Sequence, residues 1–147
     1  MSTKDFFKIS EEWKKNSIVS KDQYEQIYED SVNNNINFWK EQGERIDWFK
    51  PFTQVKDIKY SSTDVKIKWY YDGVLNASFN CIDRHAKKNP EKIAIIWEGD
   101  DPSISKKISF KELLDNVCKT ANVLKEIGVK KGDRVTIYLT MIPELAY

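Results

Sequence analysis

Glycine is scarce in this chain, and its five copies, Gly43, Gly73, Gly99, Gly128 and Gly132, are widely spaced. No G-x-G-x-x-G or Walker-type loop fits that spacing, which excludes a glycine-rich phosphate cradle. Histidine is scarcer still. His85 alone rules out a multi-histidine metal centre. Only Arg45, Arg84 and Arg134 among the 24 basic residues are arginines, and the formal net charge is +1. Arginine carries the planar fork that pairs with phosphate and guanine, so scattered lysines near neutrality argue against a nucleic-acid partner. No apolar run approaches the ~20 residues of a membrane span, and the opening Met1–Lys8 lacks the apolar core of a secretory signal. The two cysteines, Cys81 and Cys118, have no C-x-x-C spacing. Each falls in a helix inferred below, so both are expected to be reduced, buried, small hydrophobes in a cytoplasmic protein.

What is present describes an ordinary globular chain, 40% hydrophobic and 32% charged over 147 residues. Its clearest local signal runs from Ser109 to Leu139. Ser109-Phe-Lys-Glu112 is a capping box. Apolar residues then recur at helical spacing through Phe110, Leu113, Leu114, Val117, Ala121, Leu124 and Ile127. Gly128 suits the left-handed position that ends such a helix, and Val129 suits the fold-back after it. Val135–Leu139 is short, β-branched and almost wholly apolar, the pattern of a strand covered on both faces. A cap contributes about 1 kcal/mol, while each large apolar side chain buried along the stripe contributes about 1.5–3 kcal/mol. Packing against a sheet decides this helix.

Upstream, Ser20-Lys-Asp-Gln23 is a second capping box, leading a short helix with Tyr24, Ile27 and Tyr28 on one face. Asn33-Asn-Asn35 breaks it, Asn37 is positioned to cap another helix carrying Phe38 and Trp39, and Gly43 ends that one. Trp13, Trp39, Trp48, Phe49 and Phe52 are too many rings for a disordered segment. They anchor helices and loops over another surface, with Lys50-Pro51 a break. Val65–Tyr71 alternates apolar and polar residues as a half-buried strand, and Asp72-Gly73 turns the chain. Asn76 caps a helix with Phe79, Ile82 and Ala86 inward, which Asn89-Pro90 ends. Ile93–Trp97 is a strand, Glu98–Pro102 a turn, and Lys107-Ile108 a return strand. The order from Asn76 onward gives an α/β layered domain. After Leu139, Pro143-Glu144 reads as a helix beginning with barely a turn left. A lone parallel strand needs a crossover and a neighbour, so Tyr147 is expected to be a cut in a longer chain.

Few groups suggest chemistry. Lys130-Lys-Gly-Asp133 leads into a strand and not a helix N-terminus, so a solvated turn is expected there. Ser78 and His85 share a helix face but stand about 10 Å apart along the axis at 1.5 Å per residue, too far for a nucleophile and its base. Glu98, Asp100 and Asp101 offer either a hard-cation cluster or a plain acidic loop. Trp69, Tyr70 and Tyr71 offer either a stacking platform or core and surface in alternation. Cys118, placed mid-stripe, is expected to be inert. Residue chemistry alone yields no active site.

Several stretches narrow the identity. Phe38-Trp-Lys-Glu-Gln-Gly43, Ile67-Lys-Trp-Tyr70, Asp72-Gly-Val-Leu-Asn76, Cys81-Ile-Asp-Arg-His85, Ile95-Ile-Trp-Glu-Gly-Asp-Asp101 and the run from Ser109 through Gly132-Asp-Arg-Val135 to Pro143-Glu144 resemble the N-terminal region of AMP-forming acetyl-CoA synthetase. The likeness runs from about Ser20 to Tyr147. Its final part is shared across the acyl-adenylate-forming superfamily, and the Trp97-Glu-Gly-Asp-Asp101 turn together with the leading Phe38-Trp39 segment narrows it to acetyl-CoA synthetase and its propionyl-CoA relatives. The resemblance implies an α/β fold in which a helical and loop N-terminal segment precedes the first strands and helices of an acyl-adenylate-forming large domain. That divides the chain into a tail at 1–19, an N-terminal segment at 20–75 and the start of a truncated large domain at 76–147.

The resemblance also implies a parent ligase that makes acetyl-CoA from acetate, ATP and CoA with Mg2+ through an acetyl-adenylate. In that family the phosphate loop, the nucleotide and CoA grips and the supporting C-terminal lysine lie elsewhere, so none of this chain's positions is assigned a catalytic, cofactor-binding or metal role. The piece alone is then expected to be inactive, to bind no cofactor and to pair with the remainder of its own large domain. The alternatives are a stand-alone, non-catalytic binding module that uses its exposed sheet edge and apolar helix face, or the corresponding fragment of a propionyl-CoA synthetase.

Overall fold

A computed structural model describes residues 8–147. The expected absence of a signal core and the start of the 1–19 tail fall on Met1–Phe7, outside the described residues. The chain divides into two compact units, one ending at Val74 and one beginning at Leu75.

The first unit starts with helix α1 (Glu11–Asn16), a segment without a periodic apolar pattern. Ser10 caps it by accepting from the Trp13 amide at 3.3 Å, with acids in its first turn and lysines in its last, as the helix dipole favours. Helix α2 (Lys21–Asn33) begins on the expected capping box in both directions: Ser20 Oγ accepts from the Gln23 amide, and the Ser20 amide donates to Gln23 Oε1. Helix α3 (Asn35–Gly43) follows after a single residue. Its cap position is Asn34, not the expected Asn37. Asn37 lies inside the helix, and its Nδ2 donates to Asn34 Oδ1 at 2.9 Å.

Strand β1 (Lys56–Tyr60) and strand β2 (Val65–Trp69) form an antiparallel hairpin with Ile58 opposite Ile67. β2 stops two residues short of the expected Val65–Tyr71, because Tyr70 turns to φ 45° and accepts from the Gly73 amide at 3.0 Å. The expected half-buried face is also more open than its alternation implies: Val65 and Ile67 are over half exposed. Periodicity sets which residues share a face. It does not supply the layer that covers it.

In the second unit, Asn76 Oδ1 accepts from the Phe79 amide at 3.0 Å and starts the expected helix. That helix is interrupted by a π-helical turn at Phe79–Asp83 before helix α4 (Arg84–Lys88). Ile82 and Ala86 are buried, as expected. Strands β3 (Ile93–Glu98) and β4 (Ser105–Ser109) form the anticipated antiparallel return, with a register irregularity between Ile93 and Ile95. Helix α5 (Phe110–Glu126) follows directly, its start capped by Ser109 Oγ accepting from the Glu112 amide.

The far end of α5 closes as the sequence indicates. Gly128 lies at φ 90°, its amide donates to Lys125 and the Val129 amide donates to Leu124, a full Schellman closure. Ile108, fully buried, centres a small core with Ile82 and Leu113, against which Ile95, Leu114, Val117 and Tyr147 pack. Pro143–Ala146 makes one 3-10 turn with proline at its start.

One expectation fails here. Val135–Leu139 forms no ladder, and every residue from Lys131 to Met141 is exposed. β-branched residues set a local preference, but a strand exists only when a neighbouring backbone takes up its N–H and C=O groups. No described residue does so.

Candidate functional site

Two surfaces bring aromatic and apolar side chains together beside a recess. The first is an aromatic cluster in the N-terminal unit. α3 supplies Trp39, the following loop supplies Trp48 and Phe52, and the end of the hairpin supplies Trp69 and Tyr70. Ring centroids lie 4.7 Å apart for Phe52–Tyr70, 5.1 Å for Trp48–Phe52 and 5.7 Å for Trp39–Trp69. Tilted and edge-on pairs at such spacing add about 0.5–1.5 kcal/mol each beyond burial. The polar tips are satisfied: Trp48 Nε1 donates to the Gly43 carbonyl at 2.8 Å, and Tyr70 Oη donates to the Trp39 carbonyl at 2.5 Å. Burial pushes the Tyr70 phenol up from its usual range. Beside the rings lies a shallow recess of about 310 Å³ lined by Trp39, Gln42, Ile46 and Trp69. Of the two readings of Trp69-Tyr-Tyr71, the first two rings serve this packing, while Tyr71 turns away beneath Lys68 Nζ, 5.9 Å from its ring centre.

Asp72 fastens the same region. Its carboxylate accepts from Thr53 Oγ1 at 2.5 Å, from the Thr53 amide at 3.0 Å and from the Gln54 amide at 3.1 Å. The Thr53 hydroxyl and these amides hold its pKa below the ordinary carboxylate value, against a smaller opposing effect of desolvation.

The second surface is the edge of β3 that faces away from β4. Ile95, Ile96, Trp97, Met141, Ile142 and Leu145 line a groove of about 540 Å³ beside it. Trp97 Nε1 donates to the Met141 carbonyl at 2.7 Å, which holds the 141–146 segment at the groove.

The single residues considered for chemistry are dispersed. His85 is exposed, with its ring 5.2 Å from that of Phe110. Asp101 accepts from the Ser103 amide and hydroxyl, and these two bonds hold its carboxyl below the usual value. Asp133 accepts from the Lys130 amide at 2.7 Å and closes the Lys130–Asp133 turn, with Gly132 at φ 99°. Among the described residues, no three His, Cys, Asp or Glu side chains converge to hold a metal ion. These side chains do not by themselves fit a Mg2+–ATP complex.

Both cysteines are exposed, contrary to their expected burial. At about 100° per residue, Cys118 has rotated past Val117 and off the face that Leu113, Val117 and Leu124 direct inward. Sequence reasoning also passed over Asn80, buried at 8% exposure, whose Nδ2 donates to the Asn76 carbonyl at 3.0 Å. Its signal was hidden because the π-turn shifts helical spacing by one residue just there.

The family described as acetyl-coenzyme A synthetase N-terminus matches residues 24–81, and the family described as AMP-binding enzyme matches residues 82–147. Acetyl-coenzyme A synthetase from Parvibaculum lavamentivorans is 56% identical over 97% of this chain, and that from Brucella canis is 58% identical over 96%. The chain spans 22% of the length of these curated relatives. The solved acetoacetyl-CoA synthetase from Streptomyces lividans superposes with a TM-score of 0.73 at 26% identity, over 83% of this chain and 18% of that one. No helix among the described residues is long and apolar enough to cross a membrane. Across residues 24–147 the chain is therefore similar to the N-terminal region of the acetyl-coenzyme A synthetases, continuing into the start of an AMP-binding enzyme domain.

Proposed function

We propose that this chain is the leading portion of an AMP-forming acetate–CoA ligase. The parent protein joins acetate to ATP as acetyl-adenylate, releases pyrophosphate and passes the acetyl group to the thiol of CoA, with Mg2+ accompanying the nucleotide. It does so in the cytoplasm, with no nucleic-acid or membrane partner. The role of the present residues is architectural. The first unit is a ring-anchored module, and the second is the opening layer of the large domain whose remainder is its principal partner. No side chain of this portion takes a catalytic, cofactor or metal role. One observation carries the reading: two adjoining family matches, in the order of a synthetase, cover residues 24–147 without interruption.

Acetate-dependent ATP–pyrophosphate exchange tests it. The 147-residue polypeptide is expected to show none. A protein whose frame runs on from the codon for Tyr147 into a glycine-rich phosphate loop is expected to show robust exchange with acetate. Exchange by the 147-residue chain, or none by the extended protein, overturns the proposal.

A further inference from the structure

Every residue from Lys8 to Asp30 is exposed. Helices α1 and α2 are both capped, yet neither buries a residue. On α1 the exposure is of an unusual kind: Trp13 is 76% exposed, and Ile9, one turn earlier, is 65% exposed. Lys14 and Lys15 follow directly. Lys14 pairs with Glu11 at 2.7 Å, itself exposed, and Lys15 has no ion-pair partner among the described residues.

A surface of the opposite sign lies on the same unit. α2 and α3 enclose a groove of about 550 Å³, whose apolar lining is Ile27 and Phe38 and whose charged lining is Glu29, Asp30 and Glu41. None of these three carboxylates has an ion-pair partner among the described residues. Asp30 also stands in the last turn of α2, which carries no basic residue, and there the helix dipole disfavours a carboxylate. Such a groove favours cations carried on an apolar body. Trp13-Lys14-Lys15 is that combination. The arm joins α2 at Lys21, whereas the α2 side of the groove runs from Gln26 to Asn33. Its connection is drawn short by Ser17 Oγ donating to the Val19 carbonyl at 2.7 Å, and the exposed Trp13 does not occupy the groove of its own chain.

We infer that the α2–α3 groove receives the α1 arm of a second copy of this chain. Trp13 of one copy covers the apolar lining of the other's groove, and Lys14 and Lys15 face its carboxylates. The exchange is reciprocal, so both copies use the same two surfaces and the assembly closes as a two-fold dimer. This goes beyond the proposed ligase and does not depend on it.

Sedimentation velocity of the 147-residue chain over a hundredfold range of concentration tests it. A monomer–dimer equilibrium is expected, weakened at least tenfold between about 0.05 M and about 0.5 M salt by screening of the exposed charges. An arm variant, Lys14→Glu with Lys15→Glu, and a groove variant, Glu29→Lys with Asp30→Lys, should each dimerise at least tenfold more weakly. Mixed in equal amounts, the two should recover the affinity of the unaltered chain, because each arm then meets a groove of opposite sign. Trp13→Ala should weaken the dimer at least tenfold, and Lys119→Glu, at an exposed position of α5, should leave it unchanged. Amide exchange gives a second reading: the Lys14 amide, bonded to the Ser10 carbonyl, should slow at least tenfold from the dilute to the concentrated end.

A monomer at every concentration overturns the inference. So does a dimer that survives both charge reversals, a pair of variants that stay apart when mixed, or aggregation insensitive to salt. A Lys14 amide equally slow at every dilution places the arm on its own chain and overturns it too.

Discussion

Gly73 lies flat against the Trp48 ring: a Cβ added there stands 2.6 Å from Trp48 Cζ3 and 3.0 Å from Phe52 Cβ. The turn after the hairpin is therefore built around the absence of a side chain. Gly43 plays the same part on the other side of the cluster, where a Cβ meets the Phe52 and Tyr70 rings at 2.9 Å. Gly73→Ala must displace an indole that is held by its bond to Gly43. Overpacking of this kind costs about 1–3 kcal/mol. Urea unfolding followed by tryptophan emission should show the midpoint fall with little change in slope. An unchanged midpoint refutes the close packing.

Gly128→Ala should act by another route. Nothing lies within 4 Å of a Cβ there, but the backbone sits at φ 90°. The cost is conformational, about 1–2 kcal/mol, and Gly128→Asn should lose less than alanine because asparagine tolerates left-handed backbone. Thermal unfolding of the three proteins ranks them. Equal melting of the alanine and asparagine variants contradicts the assignment.

Asp72 gives the first unit an acid-sensitive fastening. Its folded pKa is depressed by the Thr53 hydroxyl and by the Thr53 and Gln54 amides, so the carboxylate form is the one that folding favours. Stability from this group is full above the unfolded aspartate pKa of about 3.9. It declines as pH falls through the lower, folded value. Asp72→Asn should flatten that part of the acid-unfolding curve and leave the neutral-pH fold in place. An acid limb identical in both proteins rules the fastening out.

Ile108 is fully buried between Ile82 and Leu113. Ile108→Ala should cost about 2–5 kcal/mol, whereas Ile104→Ala, at a 55% exposed position of the same hairpin, should cost little. Amide exchange across α5 and β3 separates the two variants, and similar exchange in both contradicts a core centred on Ile108.

How much of this was legible in the sequence depended on whether the cause was local. The capping box at Ser20, the cap that Ser109 Oγ gives the Glu112 amide, the Gly128 closure and the return from Trp97 to Ile108 are decided within a few residues, and each stands where local chemistry put it. β1 was not legible, because Lys56, Asp57 and Lys59 leave only Ile58 and Tyr60 as apolar signals. Its pairing with β2 and the ring cluster behind it set its conformation. Val135–Leu139 failed for the reverse reason: a strong local preference met no partner. The exposure of Cys118 and the burial of Asn80 turned on about 100° of helical rotation and a single π-turn. The candidate site followed the same division. The tryptophans and tyrosines were visible as a class, but the contacts among Trp48, Phe52 and Tyr70 join residues up to 22 positions apart, which no local pattern encodes.

Trp97 stands alone among the five tryptophans in belonging to the second unit, since Trp13, Trp39, Trp48 and Trp69 all precede Val74. Its indole nitrogen grips the Met141 carbonyl, so the molecule carries its own optical gauge of that attachment. Replacing the other four indoles by phenylalanine would leave a single emitter whose colour reports whether the last turn is seated or has let go.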